Sequence, residues 1–310
     1  MTQAPTVEVV STKDAPAPGK PRSRRPGGRR LAILGFLFVL PYALIFLVFK
    51  IIPAVYGIVL SFMQNNLARD MWWVGLRNYE RLIGDANFWN SLRVTFVYAI
   101  IAVPAVVVVS LLMATLASRS VRGIKIYRAA YFLPVITSLV TTAVIWSWLY
   151  STNGPFNYVF SLMGMGPVPW ISDGRFVLPS LALVAVWSRF GYDMLILLAG
   201  LLDIPQDYYE AASLDGANAL QKFWYITLPS LKRPMFFVVI LEIVVSFQVF
   251  DLVYVMTGGG PVNASYTMVF MIYDQGFGYG NFGYASAIGV VLFFITVTIA
   301  LIQRRIFKED

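Results

Sequence analysis

The 310-residue chain contains no cysteine and no histidine. Without thiols it forms no disulfide and offers no thiolate nucleophile or cysteine-ligated cluster. Without imidazole it has no histidine-dependent catalytic triad and no histidine ligand for zinc or haem. No carboxylate-rich loop suggests a metal site either, so we expect neither a metal nor a catalytic residue.

Charge is also scarce. Charged side chains make up only 13% of the residues, whereas hydrophobic side chains make up 58%. A soluble domain carries about one quarter charged residues, so this composition does not suit an ordinary water-soluble surface. Long apolar runs indicate membrane spans instead. We assign the net charge of +8 to membrane orientation and lipid contact, not to nucleic-acid binding.

Six apolar segments are each near or above the ~20 residues that a helix needs to cross ~30 Å of hydrocarbon. Residues 1–30 are predicted to be a disordered basic tail, and residues 31–310 a transmembrane domain with no soluble domain attached. Lys50 and Pro53 interrupt the overlong first span, which we expect to tilt, kink or leave the bilayer there. The predicted spans cover residues 31–62, 92–118, 127–150, 176–201, 234–256 and 283–303.

The distribution of basic residues predicts the orientation. With six spans, the basic tail, the loop after span two, the segment after span four and the C-terminus all fall on one side. Because cytoplasmic segments carry an excess of Lys and Arg, both termini are predicted to be cytoplasmic. The predicted location is therefore the cell membrane, crossed several times.

The segment 203–233, between spans four and five, is too polar to cross a membrane. Asp207 is the predicted N-cap of a short helix, with Glu210 three residues later in a capping-box arrangement. Gly216 allows a close turn, and a second short helix is predicted over residues 219–226.

Prolines delimit this helical hairpin. Pro205 stops the fourth span, Pro229 ends the second short helix, and Pro234 suits the first turn of the fifth span. The predicted hairpin is rigid, and its small Ala211–Ala212 face allows close docking into the groove of a partner. The alternative is an interfacial hairpin that binds no partner.

The hairpin carries E-A-A from Glu210, D-G-A from Asp215 and I-x-L-P ending at Pro229. This pattern resembles the EAA loop of importer permeases in the ATP-binding-cassette (ABC) superfamily. The resemblance implies an all-α membrane protein with six transmembrane helices, similar to type I ABC importer permeases. It also implies that the hairpin docks on an ATPase subunit through Glu210, Ala211, Ala212, Asp215, Gly216, Leu228 and Pro229.

Further stretches resemble the carbohydrate-uptake, maltose-type branch of that family. They are residues 74–79 with Phe88-Trp89, residues 131–134 leading to Trp146, and F-Q-V-F-D at 247–251 with Y-V-M-T-G-G-G-P at 254–261. Six spans match the smaller trehalose, glycerol-phosphate and oligosaccharide members. The implied function is import of a sugar, such as a disaccharide or oligosaccharide of the trehalose or maltose type.

The resemblance also implies the partners. They are a second homologous permease, two ABC ATPase subunits and an extracytoplasmic solute-binding (lipo)protein, with no nucleic acid. No G-x-x-x-x-G-K-[ST] motif is present, so ATP and Mg²⁺ are expected on the partner ATPases and no cofactor on this chain. The outer loop expected to contact the binding protein contains Thr257, Gly258, Gly259, Gly260 and Pro261.

Polar groups inside spans are candidates for the substrate path, because their burial in lipid is costly. At ~1.5 Å per residue, Arg189, Asp193 and Glu242 are predicted to meet near mid-membrane. Either they form a structural ion cluster between packed helices, or they line the path and act as a gate. The complete candidate set is Arg189, Asp193, Glu242, Gln248, Asp251 and Trp146.

Three other functions stay open. A secondary transporter driven by an ion gradient would fit the ionisable cluster but leave the hairpin unexplained. An ABC importer for glycerol phosphate is the second alternative. A membrane-embedded enzyme would have to depend on Asp, Glu or Ser, and no clustered acid motif supports it.

Overall fold

The structure is a computed structural model that describes residues 28–66, 69–118 and 124–306. Nearly all of the predicted tail, residues 1–30, lies outside the described residues. The chain divides into two units, residues 1–54 and 55–310, and each is described by itself.

In the first unit, α1 covers Gly28–Phe46 and continues into a π-helical turn at Leu47–Ile51. The backbone N–H of Ile52 donates to the carbonyl of Leu47, five residues earlier. The predicted interruption at Lys50 is therefore a local change of helical hydrogen bonding, of the kind that accompanies bends in long helices. Helix α2, Ile52–Leu60, begins next to Pro53.

The second unit begins within α2, at Val55, and continues into an antiparallel β-hairpin of β1 (Met63–Asn66) and β2 (Arg69–Trp73), in which Met63 pairs with Trp73. This β-hairpin was not predicted from the sequence. The helices that follow are α3 (Arg77–Gly84), α4 (Ala86–Ala117), α5 (Ile124–Ile136), α6 (Leu139–Leu149), α7 (Pro155–Leu162), α8 (Val177–Leu202), α9 (Gln206–Leu214), α10 (Ala219–Lys222), α11 (Leu228–Ser230), α12 (Lys232–Phe247), α13 (Asp251–Met256), α14 (Met268–Tyr273) and α15 (Phe282–Ile306).

The all-α membrane fold is confirmed, and two predicted spans differ in form from the prediction. Among the described residues, four helices are long and apolar enough to span: Ala32–Leu60, Ala86–Ala117, Val177–Leu202 and Phe282–Arg305. The predicted span 127–150 is not one straight helix, because Ala130–Ile136 and Leu139–Leu149 meet at 107°. The predicted span 234–256 is divided by a break at Gln248–Phe250, between α12 and α13.

The core lies where α4 packs along α8, with α12 also against α4. Tyr98 of α4 and Leu181 of α8 are fully buried there. Helix α5 approaches α8 so closely that a Cβ placed on Gly191 would lie 2.2 Å from the carbonyl oxygen of Tyr131. Only glycine permits that approach, which holds the bent third segment against the fourth span.

Candidate functional site

The 203–233 hairpin connects the end of α8 to the start of α12. Its first arm is α9, whose N-cap is Pro205 without a side-chain cap. The prediction that Asp207 caps this helix is therefore wrong: the chain turns at Pro205, so Asp207 already lies in the first turn. In that position the negative charge of its carboxylate still interacts favourably with the positive end of the helix dipole.

Gly216 makes the predicted turn. Its φ is +77°, a left-handed conformation that side chains rarely adopt, and no described atom lies within 4 Å of a Cβ built on it. The N–H of Ala217 donates to the carbonyl of Ala212 at 2.9 Å, which closes the end of α9. The turn is therefore defined by backbone geometry and faces open space.

The second arm starts with a capping box that sequence reasoning missed. The side chain of Asn218 accepts from the N–H of Gln221 at 2.9 Å, and the N–H of Asn218 donates to Gln221 Oε1 at 2.8 Å. The predicted helix over 219–226 consists of α10 and a π-helical turn, Phe223–Thr227. The N-x-x-Q spacing is a recognised helix-start signal, so this cap was readable from the sequence.

Two side-chain contacts tie the arms together. Tyr209 and Thr227 share a hydroxyl–hydroxyl hydrogen bond of 2.9 Å. Lys222 Nζ donates to Ser213 Oγ at 2.6 Å. The hairpin is thus a braced unit, able to move as one body.

The hairpin exposes most of its motif residues and several large apolar side chains. Glu210, Asp215 and Pro229 are exposed, whereas Ala212 and Leu228 are half-buried. Leu214 is 91% exposed and Leu220 is 67% exposed. The surface of the hairpin is therefore apolar as well as charged.

In the transmembrane region, Arg189 of α8 forms an ion pair with Glu242 of α12. Their side chains are 15% and 3% exposed, and Ser246 Oγ lies 3.4 Å from the same guanidinium. Asp193 is fully buried, and neither of its carboxylate oxygens has a hydrogen-bond partner among the described residues. Two of the three predicted cluster members are therefore paired, and Asp193 is not.

Beside this ion pair lies a cavity of about 180 Å³. Three residues predicted for the substrate path line this cavity, namely Arg189, Gln248 and Asp251. Tyr98 and Ser188 also line it and were not predicted. Gln248 and Asp251 reach it because the break at the end of α12 turns the backbone there.

Trp146 has a different environment. It is 8% exposed and makes edge-to-face contacts with the rings of Tyr150, Phe156 and Trp187. The structure places Trp146 in the hydrophobic core, which is the packing role that aromatic residues in helices usually have.

The outer loop is held by internal hydrogen bonds. Thr257 Oγ1 and Ser265 Oγ lie 2.7 Å apart, and Ser265 Oγ donates to the carbonyl of Gly260. Val262, which follows the predicted contact segment and has φ +47°, is fully exposed. The exposed part of this loop therefore extends just beyond Pro261.

A polar cavity of about 570 Å³ lies next to this loop and was not predicted. Asp85, Asp274 and Arg81 are among its lining residues. Tyr266 donates to Asp274 at 2.6 Å, and burial together with this hydrogen bond raises the pKa of Tyr266. Within the described ranges, no three His, Cys, Asp or Glu side chains group closely enough to hold a metal ion.

Residues 87–308 match the family model described as "Binding-protein-dependent transport system inner membrane component". The chain belongs to this family. As a permease of this family it is a non-catalytic, multi-pass membrane component of a transporter. The resemblance found in the E-A-A and D-G-A motifs is confirmed.

Three relatives of this permease are similar over nearly its whole length. The trehalose/maltose transport system permease protein MalF of Thermococcus litoralis is 32% identical, covering 91% of this chain and 96% of the relative. The arabinooligosaccharides transport system permease protein AraP of Bacillus subtilis is 34% identical, covering 87% of each. The sn-glycerol-3-phosphate transport system permease protein UgpA of Agrobacterium fabrum is 30% identical, covering 89% and 95%.

The permease fold also matches a solved structure. A chain of a bacterial ABC transporter involved in the import of the acidic polysaccharide alginate superposes with a TM-score of 0.77. The match covers 90% of this chain and 96% of that one, at 20% sequence identity. At that identity the likeness shows the fold alone, and it confirms the type I importer architecture.

Proposed function

We propose that this permease imports a sugar, such as a disaccharide or oligosaccharide of the trehalose or maltose type, delivered by an extracytoplasmic binding protein. The observation that carries the proposal is the similarity, along about nine-tenths of the chain, to permeases named for trehalose/maltose and arabinooligosaccharides. The polar side chains in the lining of the transmembrane cavity, Arg189, Gln248 and Asp251, agree with it, because sugar hydroxyls need hydrogen-bond partners in a site shielded from water.

The energy for import comes from partner subunits in this proposal. Two ABC ATPases hydrolyse ATP with Mg²⁺, and this chain binds no cofactor itself. The exposed hairpin supports an ATPase contact, since the exposed Leu214 lies one helical turn after the exposed Glu210 on α9. One hairpin engages one ATPase, so a second, homologous permease completes the pore.

The orientation follows from charge. We place both termini and the 203–233 hairpin in the cytoplasm, because Lys and Arg are enriched on that side. The loop with Thr257–Pro261 and the exposed Val262 then faces the binding protein.

The import step is alternating access. The hairpin is continuous with both α8 and α12, so a displacement by the ATPases moves the two helices that hold Arg189 and Glu242. The cavity beside this pair holds about 180 Å³, less than the roughly 300–1,000 Å³ of ordinary ligand pockets. We therefore interpret this geometry as a closed state whose cavity enlarges during transport.

Glycerol phosphate is the second candidate substrate. The relative from Agrobacterium fabrum is named for sn-glycerol-3-phosphate, and Arg189 supplies a cation at the cavity. Glu242 already pairs with that cation, however, which favours a neutral substrate.

Transport by reconstituted complexes tests the proposal. The chain is purified with its co-expressed partner subunits, placed in liposomes, and supplied with ATP and the binding protein. Radiolabelled trehalose, maltose, arabinotriose and glycerol 3-phosphate are compared. We expect ATP-dependent uptake of a sugar. Uptake driven by an ion gradient without ATPase subunits would instead establish a secondary transporter, and uptake of glycerol 3-phosphate alone would establish the second candidate.

A further inference from the structure

A further cavity, of about 550 Å³, lies where α8 ends and α12 begins. It is separate from the transmembrane cavity and from the exposed tip of the hairpin. Residues from both helices and from the intervening α11 form its wall; they include Gly200, Asp203, Ser230, Lys232, Arg233 and Phe236.

The charge of this cavity favours an anion. Lys232 and Arg233 contribute two cations, whereas Asp203 contributes one carboxylate. Arg233 is exposed, so its guanidinium is accessible to a ligand. A guanidinium binds phosphate through two parallel hydrogen bonds, and a lysine adds a point charge.

The backbone adds to this preference. Helix α12 is 16 residues long, starts at Lys232, and has no acidic residue in its first turn. Its N-cap is Leu231, whose apolar side chain accepts no hydrogen bond from the first amides. The positive end of a long helix therefore points toward the two basic side chains, and both favour a phosphate.

The two helix ends that form the cavity are tightly packed against each other. A Cβ placed on Gly200 would lie 2.7 Å from Pro234 Cγ, so the end of α8 presses directly on the first turn of α12. Leu231 at the same junction is fully buried. The cavity is thus built on a fixed contact between two helix ends.

The cavity lies at one end of the membrane-spanning region. Gly200, near the end of the spanning helix α8, and Lys232, at the start of α12, both line it. Phe236, one turn further along α12, also lines it together with Pro229 and Pro234, so apolar surface lies beside the basic side chains.

We propose that this cavity binds the phosphate of an anionic phospholipid of the cytoplasmic leaflet, with an acyl chain against Phe236. Basic pockets between membrane helices on this side suit such headgroups. The apolar side chains in the lining distinguish a lipid from a free phosphate ion. A lipid bound here contacts the junction between the hairpin and the two transmembrane helices.

Lipid retention by the complete transporter tests this site. The assembled complex is reconstituted in nanodiscs of phosphatidylcholine with phosphatidylglycerol, extracted into detergent, and analysed for retained lipid by native mass spectrometry. We expect the Arg233→Gln variant to lose phosphatidylglycerol retention about fivefold relative to phosphatidylcholine, as removal of one interfacial cation implies. The Arg233→Lys variant keeps the charge and should retain most of the lipid.

Arg304→Gln is the matched control, because Arg304 is also an exposed arginine and lies near the end of α15, on the same predicted side. Equal losses in the two Gln variants would reduce the effect to general leaflet charge and overturn the proposal. Unchanged lipid retention in the Arg233→Gln variant would also overturn the proposal. The same holds if inorganic phosphate displaces the lipid completely, or if bound lipid increases only when the ATPase subunits are removed. None of these outcomes bears on sugar uptake, so the importer proposal stands or falls separately.

Discussion

The guanidinium of Arg189 contacts the carboxylate of Glu242, joining α8 to α12 inside the transmembrane region. These are the two helices that the 203–233 hairpin connects. The ion pair therefore lies at the point where a displacement of the hairpin would change the distance between its two members.

Removing one partner of this ion pair should destabilise the folded protein. The Glu242→Gln variant removes the carboxylate that pairs with the buried Arg189, and we expect it to lower the free energy of unfolding by about 3 kcal/mol. The double variant Arg189→Gln with Glu242→Gln removes both charges and should recover most of that loss. Thermal unfolding of the purified protein in detergent measures both, and equal stability of the single and double variants would contradict the role of the pair.

Removing the charge of Asp193, by contrast, should change the stability of the protein little. It is fully buried, and no described side chain or backbone group donates a hydrogen bond to either oxygen. Because an unpaired buried charge is unfavourable, Asp193→Asn should leave the free energy of unfolding within about 1 kcal/mol of the wild type. A loss as large as that of Glu242→Gln would show that Asp193 shares the counter-ion role.

The sequence predicted the parts of the fold that depend on length and apolarity. The runs behind α4, α8 and α15 exceed the thickness of a bilayer, so their existence followed from composition. The 107° bend between α5 and α6 did not follow, although Pro134 lies near it. Hydropathy is a sum over residues and carries no information about backbone direction or about the close approach of α5 to α8 at Gly191 and Tyr131.

Like the fold, the transmembrane candidate site could be predicted from the sequence only in part. Helical rise predicted that Arg189, Asp193 and Glu242 meet near mid-membrane, and the pairing of Arg189 with Glu242 agrees with that prediction. The unpaired state of Asp193 was not predictable, because it depends on which carboxylate the Arg189 side chain selects. The cavity at the start of α12 depends on how two helix ends meet, which no local pattern encodes.

The turn of the hairpin offers a sharp test of coupling. Gly216 has φ +77°, and the Gly216→Val variant is expected to strain or redirect the turn by roughly 1–2 kcal/mol. We expect a folded protein whose uptake is lost although the ATPases still hydrolyse ATP. Gly164→Val is the control, since Gly164 has φ +73° and equally open surroundings among the described atoms. Similar losses of uptake in both variants would assign the effect to strain alone.

The charge of the hairpin should also matter. Glu210 is exposed on α9, and Glu210→Lys reverses the charge that a basic residue of the ATPase would face. We expect weaker association with the ATPase subunits, measured by co-purification, and a large loss of uptake. Glu80→Lys reverses an exposed glutamate on α3 and should have neither effect. Wild-type co-purification and uptake of the Glu210 variant would remove the docking role from this residue.

The size of the transmembrane cavity leads to the last prediction. At about 180 Å³ it is smaller than most ligand pockets, so a sugar passes only if the lining residues separate. Because the chain has no cysteine, Ser188→Cys introduces one thiol in this permease at the cavity wall, where Ser188 is 5% exposed. In complexes assembled with cysteine-free partners, we expect slow reaction with a water-soluble maleimide at rest. Trapping the complex with ATP and vanadate should accelerate it several-fold. Ser110→Cys, at a fully buried position of α4, should stay unreactive in both states. Equal rates for Ser188→Cys in the two states would mean that this cavity does not open during the cycle, and the sugar path would have to lie elsewhere.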